Sequence, residues 1–587
     1  MPAPPSDPRC NHHVHDPHAT TPMSLLPLYA VLLLLHVAVA MAAPPPSPPS
    51  SPICGSSGGP VKESTPLIAF LQRVQSAALQ TFGSNSFDPK LYVDLPLQRA
   101  LPAAQAAFAA LPRSSRGGAV PAADLNRFLG DYFGAAGSDM VYAEPPDFVP
   151  EPEGFLPKVE HPEVRAWALE VHSLWRNLTR RVADDVRARP EMHTLLPLPG
   201  PVVVPGSRFR EVYYWDSYWI IRGLLVSKMY NTAKCIVNNL ISLVDSYGYV
   251  LNGARAYYSN RSQPPLLSSM IMEIYKKTGD LEFVKKSLPS LLKEHSFWDS
   301  EIHKLTIKDG HGCNHTVNRY YAMWNKPRPE SATIDESFAS ALSSSHDKEK
   351  FYREVASTAE SGWDFSSRWM SNSSHLTTLA TTSIIPVDLN VFILKMELDI
   401  AFFAKLVGDN SISKTFLEAS HAREDSIRSI FWNDEMGQWL DYWLKDSNNC
   451  KDSHQLDSGN QNQNIFASNF IPLWIGIHAS DHTIAQKVMN SFKRSGLLRA
   501  FGIATSLSNT RQQWDFPNGW APLQHMIVEG LAKSGLKEAR ILAEDIAERW
   551  IRTNYVAYKQ SGVMHEKYDV EACGEFGGGG EYTPQTT

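Results

Sequence analysis

From Ser64 onward, apolar residues recur at spacings of three and four in one long stretch after another. That period belongs to helices with one face turned to a core. It predicts helices over 67–82, 164–186, 218–229, 232–247, 266–278 and 281–305. It continues over 348–362, 389–406, 413–431, 481–495, 522–534 and 537–554. Gly248, Gly279, Gly408, Gly496 and Gly535 stand at helix ends, where a left-handed residue without a Cβ closes the last turn. Alternating, strand-like stretches are few and short. The chain therefore reads as all-α, with antiparallel helix pairs joined by variable loops. An (α/α)6 toroid and an open α-solenoid are both built this way. No fixed-period repeat runs through the sequence, which argues against the solenoid. In a toroid the inner helix ends converge on one cavity, and segments far apart in sequence meet there.

The 587 residues are 43% hydrophobic and 20% charged, ample for one large domain or two ordinary ones. The formal net charge is -6 and no long basic run occurs, so nucleic acid is not an expected partner. Residues 1–23 read as an N-terminal tail, 24–43 as an apolar targeting segment, 44–60 as a Pro/Ser-rich linker and 61–587 as the main folded domain. Two readings compete for the apolar segment. Ala-x-Ala spacings at Ala38/Ala40 and Ala40/Ala42 favour a cleaved signal peptide, while the tail before it favours an uncleaved signal anchor. Both put the rest of the chain outside the cytosol: anchored at the plasma membrane with an extracellular domain, or secreted after cleavage. The sequons at Asn177, Asn260, Asn314 and Asn372 then become accessible in principle, although Asn260 falls inside a candidate site motif. Beyond the apolar run, Cys54, Cys235, Cys313, Cys450 and Cys573 are odd in number and scattered, so no disulfide framework is expected to hold the fold. The tract 10–15, CNHHVH, could bind a metal, but no fixed second group accompanies it and disorder is the better reading.

Two segments are too dense in rings and charges for ordinary core: 205–219, PGSRFREVYYWDSYW, and 512–522, QQWDFPNGWAP. Indole and phenol faces suit the C–H surfaces of a sugar, while carboxylates, Arg and Asn suit its hydroxyls. Either segment alone could be a buried aromatic cluster around a satisfied Asp; the two together are harder to read that way. Two further Pro-bounded stretches carry Asn252, Arg261 and Gln263 (251–265) and Arg328 and Glu330 (326–331). Glycoside hydrolysis needs two carboxyl groups, one to protonate the leaving oxygen and one to activate water or attack. Asp364, in 360–369, follows Gly362 and is flanked by Trp363 and Phe365, which are expected to keep its carboxyl protonated. A helix-cap Asp is the plain alternative. Glu566, in MHEKYD at 564–569, precedes the run Gly577 to Gly580 and Glu581; a surface charge cluster before a flexible tail is the plain alternative there. No zinc pattern, calcium loop or phosphate-binding Gly motif is present, so neither metal nor cofactor is expected.

These motifs resemble those of the trehalase family, glycosidases that split α,α-trehalose into two glucoses, and the likeness runs from about Ser64 to Tyr582. The resemblance implies the (α/α)6 toroid and an inverting mechanism, with Asp364 as general acid and Glu566 as general base. It implies substrate contacts from Arg208, Trp215, Asp216, Asn252, Arg261, Gln263, Arg328, Glu330, Gly362, Trp514, Asp515 and Glu581. Its membrane-anchored plant type supports the anchor reading. Members usually continue past the position of Tyr582 with an aromatic loop and a last helix. This chain stops at Thr587, so the toroid is expected to lack that helix, and the product to be less stable or less active. Two other readings remain: an (α/α)6 glycosidase acting on a different α-glucoside, and a trehalose-binding protein without turnover.

Overall fold

Two neighbouring helices show how the layers sort. Val387–Leu406 buries Leu389, Val391, Phe392, Ile393, Leu394 and Met396 in near-unbroken succession, so it is apolar round its circumference. Its hairpin partner Asn410–Ile430 buries Ser420, Arg423, Ser426, Ile427 and Ile430, a stripe at helical spacing. The first is an inner helix and the second an outer one. The same hairpin order pairs Asp216–Val226 with Tyr230–Tyr247, Leu267–Thr278 with Leu281–Trp298, and Ala521–Lys533 with Lys537–Ser561. The inner elements then pack on one another in chain order: Asp216–Val226, Leu267–Thr278, Val387–Leu406, the 3-10 helix Ala467–Ile475, and Ala521–Lys533. Trp219 donates to His525 and Arg222 to Glu529, so the last of these is tied back to the first. The architecture is the expected (α/α)6 toroid, with these five inner elements among the described residues. This computed structural model describes residues 58–85, 87–114, 119–444, 454–477, 481–580 and 585–586. The apolar segment 24–43 and Glu581 lie outside them, and no described helix is long and apolar enough to cross a membrane.

Two expected helices end early. The one drawn over 164–186 is Pro162–Leu178. Thr179–Val182 then turns extended and pairs with Met140–Tyr142 on one side and Val202–Val203 on the other. The one drawn over 281–305 is Leu281–Trp298, after which Lys304–Lys308 pairs with Asn314–Asn318. In both places a strand-length segment finds a partner that helical periodicity cannot register. The Gly ends hold where they were expected: Gly248 and Gly279 take φ of 89° and 65° and close Tyr230–Tyr247 and Leu267–Thr278.

Helices Pro66–Phe82, Leu101–Ala109 and Ala122–Tyr132 form a second core around Phe70, Leu71, Phe108 and Phe128, to which the toroid contributes Tyr213, Tyr257 and Tyr258. A buried ion network clamps this joint. Lys90 Nζ lies 2.6 Å from Asp94 and 2.8 Å from Glu211, and Arg255 Nε lies 2.6 Å from Glu211 and 3.2 Å from Asp94; all four side chains are fully buried. Each charge faces two of opposite sign, which offsets the loss of water. The network therefore fixes the segments that carry Tyr213 and Tyr258 against the toroid.

Candidate active site

The loops at one end of the inner helices enclose a cavity of about 430 Å³, within the usual range for a small-ligand site. Arg208, Trp215, Asp216, Asn252, Arg261, Gln263, Arg328, Glu330, Gly362, Asp364, Trp514 and Glu566 all line it. Asp515 does not. It is fully buried, and its oxygens accept from Ser366, Ser367, Ser506 and Thr510. It joins the loop after Asp364 to the 506–515 segment, so it stands one layer behind the wall. Burial raises its carboxyl, and the hydrogen bonds from Thr510, Ser367 and Ser506 resist that rise.

Each wall residue is held by a partner. Arg208 follows the turn of Gly206 and Ser207 and forks onto both oxygens of Asp88, at 3.1 and 2.7 Å. Gln263 Oε1 accepts from the Trp215 amide at 3.1 Å, and Asn252 Nδ2 donates to Ser262 O and Ala359 O. Arg261 Nη2 donates to Glu330 Oε1 at 2.5 Å, and Nη1 to Asn260 Oδ1 at 3.0 Å. Asn260 is 3% exposed, which excludes it as a glycan site, whereas Asn177, Asn314 and Asn372 are exposed. Arg328 sets its Nε and Nη2 on Asp335, at 3.0 and 2.7 Å. Burial alone would raise the Glu330 carboxyl, but the charges of Arg261 and then Arg328 hold it below the usual carboxylate range. Burial pushes the Asp216 carboxyl up to about 6 against its own backbone hydrogen bond, and the Glu566 charge adds to the rise.

The two candidate carboxyl groups sit in different surroundings. Trp363 and Phe365, which flank Asp364, are each 1% exposed and part of the main core. The Asp364 side chain is 34% exposed, and Arg328 Nη1 lies 3.9 Å from its Oδ2. Glu566 presents two unlike oxygens. Its Oε1 accepts from Lys567 Nζ at 2.8 Å and from the Gln585 amide at 3.2 Å. Its Oε2 has no hydrogen bond within the protein among the described residues, and the side chain lines the cavity. A carboxylate oxygen so placed can chemically accept a proton.

A stacked column joins the walls. Trp363 lies on Trp514 with centroids 5.3 Å apart and planes 16° apart; Trp514 lies on Trp520 at 4.0 Å and 3°. Arg368 caps the column 4.6 Å from the Trp363 ring, and Lys567 caps the other end 5.2 Å from Trp520. Six segments, running from Arg208 to Glu566, thus meet in one sugar-sized cavity lined by the carboxyl groups of Asp216, Glu330, Asp364 and Glu566. Residues 84–587 match the sequence model of the trehalase family.

The chain belongs to the trehalase family. A probable trehalase of Oryza sativa subsp. japonica is 64% identical over 545 residues, covering 91% of this chain and 95% of that protein. A trehalase of Arabidopsis thaliana is 56% identical over 531 residues, covering 90% and 84%. Among solved structures, neutral trehalase from Saccharomyces cerevisiae superposes with a TM-score of 0.52 at 27% identity, covering 64% of this chain and 71% of that one.

Sequence reading missed Tyr258, Gln513 and Trp520 in the lining of this trehalase-family cavity, and Asp88, Asp335 and Lys567 behind it. Tyr258, Gln513, Trp520 and Lys567 lie inside motifs already singled out, and the signal for them was the motif itself. Asp88 and Asp335 carry no such signal, because only the fold brings them to Arg208 and Arg328. Gly362 contributes space rather than contact. It closes helix Ser345–Ser361 at φ 75°, and a Cβ there would meet the Trp215 ring at 2.9 Å. Gly362→Ala is expected to cost about 1–3 kcal/mol in backbone strain and to displace Trp215. The check is a lower urea midpoint together with a raised KM; an unchanged KM would show that Trp215 does not bind substrate.

Proposed function

We propose that this protein hydrolyses α,α-trehalose to two glucose molecules by an inverting acid/base mechanism. The observation that carries the reading is the pair of carboxyl groups lining one cavity, Asp364 on the acid side and Glu566 with Oε2 free toward the cavity. Asp364 gives its proton to the glycosidic oxygen. Glu566 takes one from the water that attacks the anomeric carbon from the opposite face. The bond between that carbon and the glycosidic oxygen breaks as the new C–O bond forms. One glucose leaves with retained α configuration and the other emerges as β.

Substrate placement falls to Arg208, Arg261 and Arg328, whose forks are stiffened by Asp88, Glu330 and Asp335. Asn252, Gln263, Asp216 and Glu330 supply further donors and acceptors, Trp215 supplies apolar surface, and Trp514, stacked between Trp363 and Trp520, completes the wall against the sugar. Glu581 is part of the same proposal, carried by its place in the glycine-rich motif. Proton NMR of the first-formed sugar tests the stereochemistry: equal amounts of α- and β-glucose are expected before mutarotation. Two α anomers would mean retention and a covalent intermediate on one carboxylate. Anchoring at the plasma membrane through 24–43, with the catalytic domain outside, belongs to the same reading. Full-length protein released from membranes by alkaline carbonate would overturn it.

A further inference from the structure

Lys567 is fully buried, yet it sits beside a carboxylate that must stay reactive. Its ammonium holds Glu566 Oε1 at 2.8 Å and Gln513 Oε1 at 3.0 Å, and it lies over the Trp520 ring. Gln513 in turn donates from Nε2 to the Asp364 carbonyl at 2.5 Å. The strand Lys567–Asp569 pairs with Asn518–Trp520, placing Lys567 opposite Trp520. One ammonium therefore touches the Glu566 carboxylate directly and the Asp364 peptide through a single amide.

We propose that Lys567 is a positioning residue for the reaction: it holds Glu566 by Oε1 so that Oε2 is left for the cavity, and through Gln513 fixes that carboxylate relative to Asp364. The inference rests on the reading of Glu566 as the base. The physics follows from which oxygen is engaged. A cation on Oε1 favours the anion without blocking Oε2, and its rigid strand sets the carboxylate plane. Other charged groups face the same carboxylate. Asp216, from the start of helix Asp216–Val226, lines the same cavity, and the Glu566 charge helps to raise its carboxyl. His565 is turned aside to Ser561 Oγ at 3.2 Å and stacks on Phe576. Asp364, Arg208 and Arg328 line the same cavity, the last two with their forks on Asp88 and Asp335. Among the described residues Lys567 is the cation in direct contact with Glu566. Burial lowers the pKa of the ammonium itself, while the Glu566 charge supports its protonated form.

The test uses two neutral replacements: Lys567→Gln, which keeps a hydrogen-bond donor, and Lys567→Met, which keeps the packing over Trp520. The pH profile of kcat/KM on trehalose is the readout, with melting temperature measured alongside. Each folded neutral variant should move the acid limb up by about one pH unit or more. Activity on the acid side should fall about tenfold and recover toward the parent at higher pH, with KM within about threefold. Lys567→Arg should keep the parent limb. A folded neutral variant whose limb stays put, however much its melting temperature drops, would reduce Lys567 to a structural ion pair and overturn the proposal. Glu566→Gln separates the two levels: if it retains turnover, the base assignment itself is wrong, whatever the Lys567 variants do.

Discussion

Asp364→Asn and Glu566→Gln each lower kcat on trehalose by about 10²–10⁴-fold, with trehalose binding preserved. The Asn side chain keeps the shape of Asp364 and its place 3.9 Å from Arg328 Nη1, but it has no acidic proton for the glycosidic oxygen. The Gln case is set by the partners of Glu566. Lys567 Nζ and the Gln585 amide both donate to Oε1, so the carbonyl of the introduced side-chain amide must take that side. Its NH₂ then occupies the Oε2 side, where the water needs an acceptor. The variant is neutral and donor-bearing at the one point where a base is required. Because neither side chain is assigned to hold the sugars, KM should change by only about threefold or less. Single-turnover assays with isothermal titration check both halves. Near-normal kcat in either variant removes that residue from its role. Lost binding with near-normal kcat would make it a substrate contact instead.

Arg368→Met is expected to unfold the protein or nearly so. Arg368 is fully buried and forks onto two carboxylates at once: Nη1 and Nη2 on Asp388 at 2.8 and 2.7 Å, and Nε and Nη2 on Asp441 at 2.7 and 3.0 Å. Asp441 also accepts from the Val387 amide, at the start of an inner helix. Met fills the volume but leaves two buried carboxylates without their cation. Breaking one buried pair costs about 3–5 kcal/mol, against a whole-protein margin of about 5–15 kcal/mol. The guanidinium also lies on Trp363, one residue before Asp364, so surviving protein should lose kcat as well. A Tm within a few degrees of the parent, with full activity, would contradict this account of the Asp364 loop.

The helical toroid was legible because its evidence is local: each helix writes its own period into the sequence, and Gly248 and Gly279 mark ends by a backbone need that adjacent residues reveal. Leu178 and Trp298 were passed over as helix ends because what stops the helix is a distant strand, Met140–Tyr142 in one case and Asn314–Asn318 in the other. The site divides the same way. Wall residues such as Trp215, Arg261 and Glu566 announce themselves by density of rings and charges within one motif. Their supports do not. Asp88 holds Arg208 across 120 positions, and an aspartate before a proline looks like any helix cap. Asp515 shows the converse: the resemblance implied a contact with sugar, but the turn carries its carboxylate to Ser366 and Ser367, outside the cavity lining. Trp363 and Phe365 flank Asp364 in sequence and are buried in the core, whereas the Asp364 side chain is 34% exposed. Which side of the chain a residue faces outside regular helices is settled by the fold.

The most direct test of the account is glucose release by the purified protein from α,α-trehalose, with maltose and sucrose in parallel. A cavity in which Asp364 and Glu566 supply the acid and the base, with three braced arginines and indole walls around a disaccharide-sized space, predicts turnover of trehalose and none of the other two. Comparable turnover of maltose or sucrose would contradict the assigned specificity. A folded protein that binds trehalose and releases no glucose would contradict the assigned chemistry.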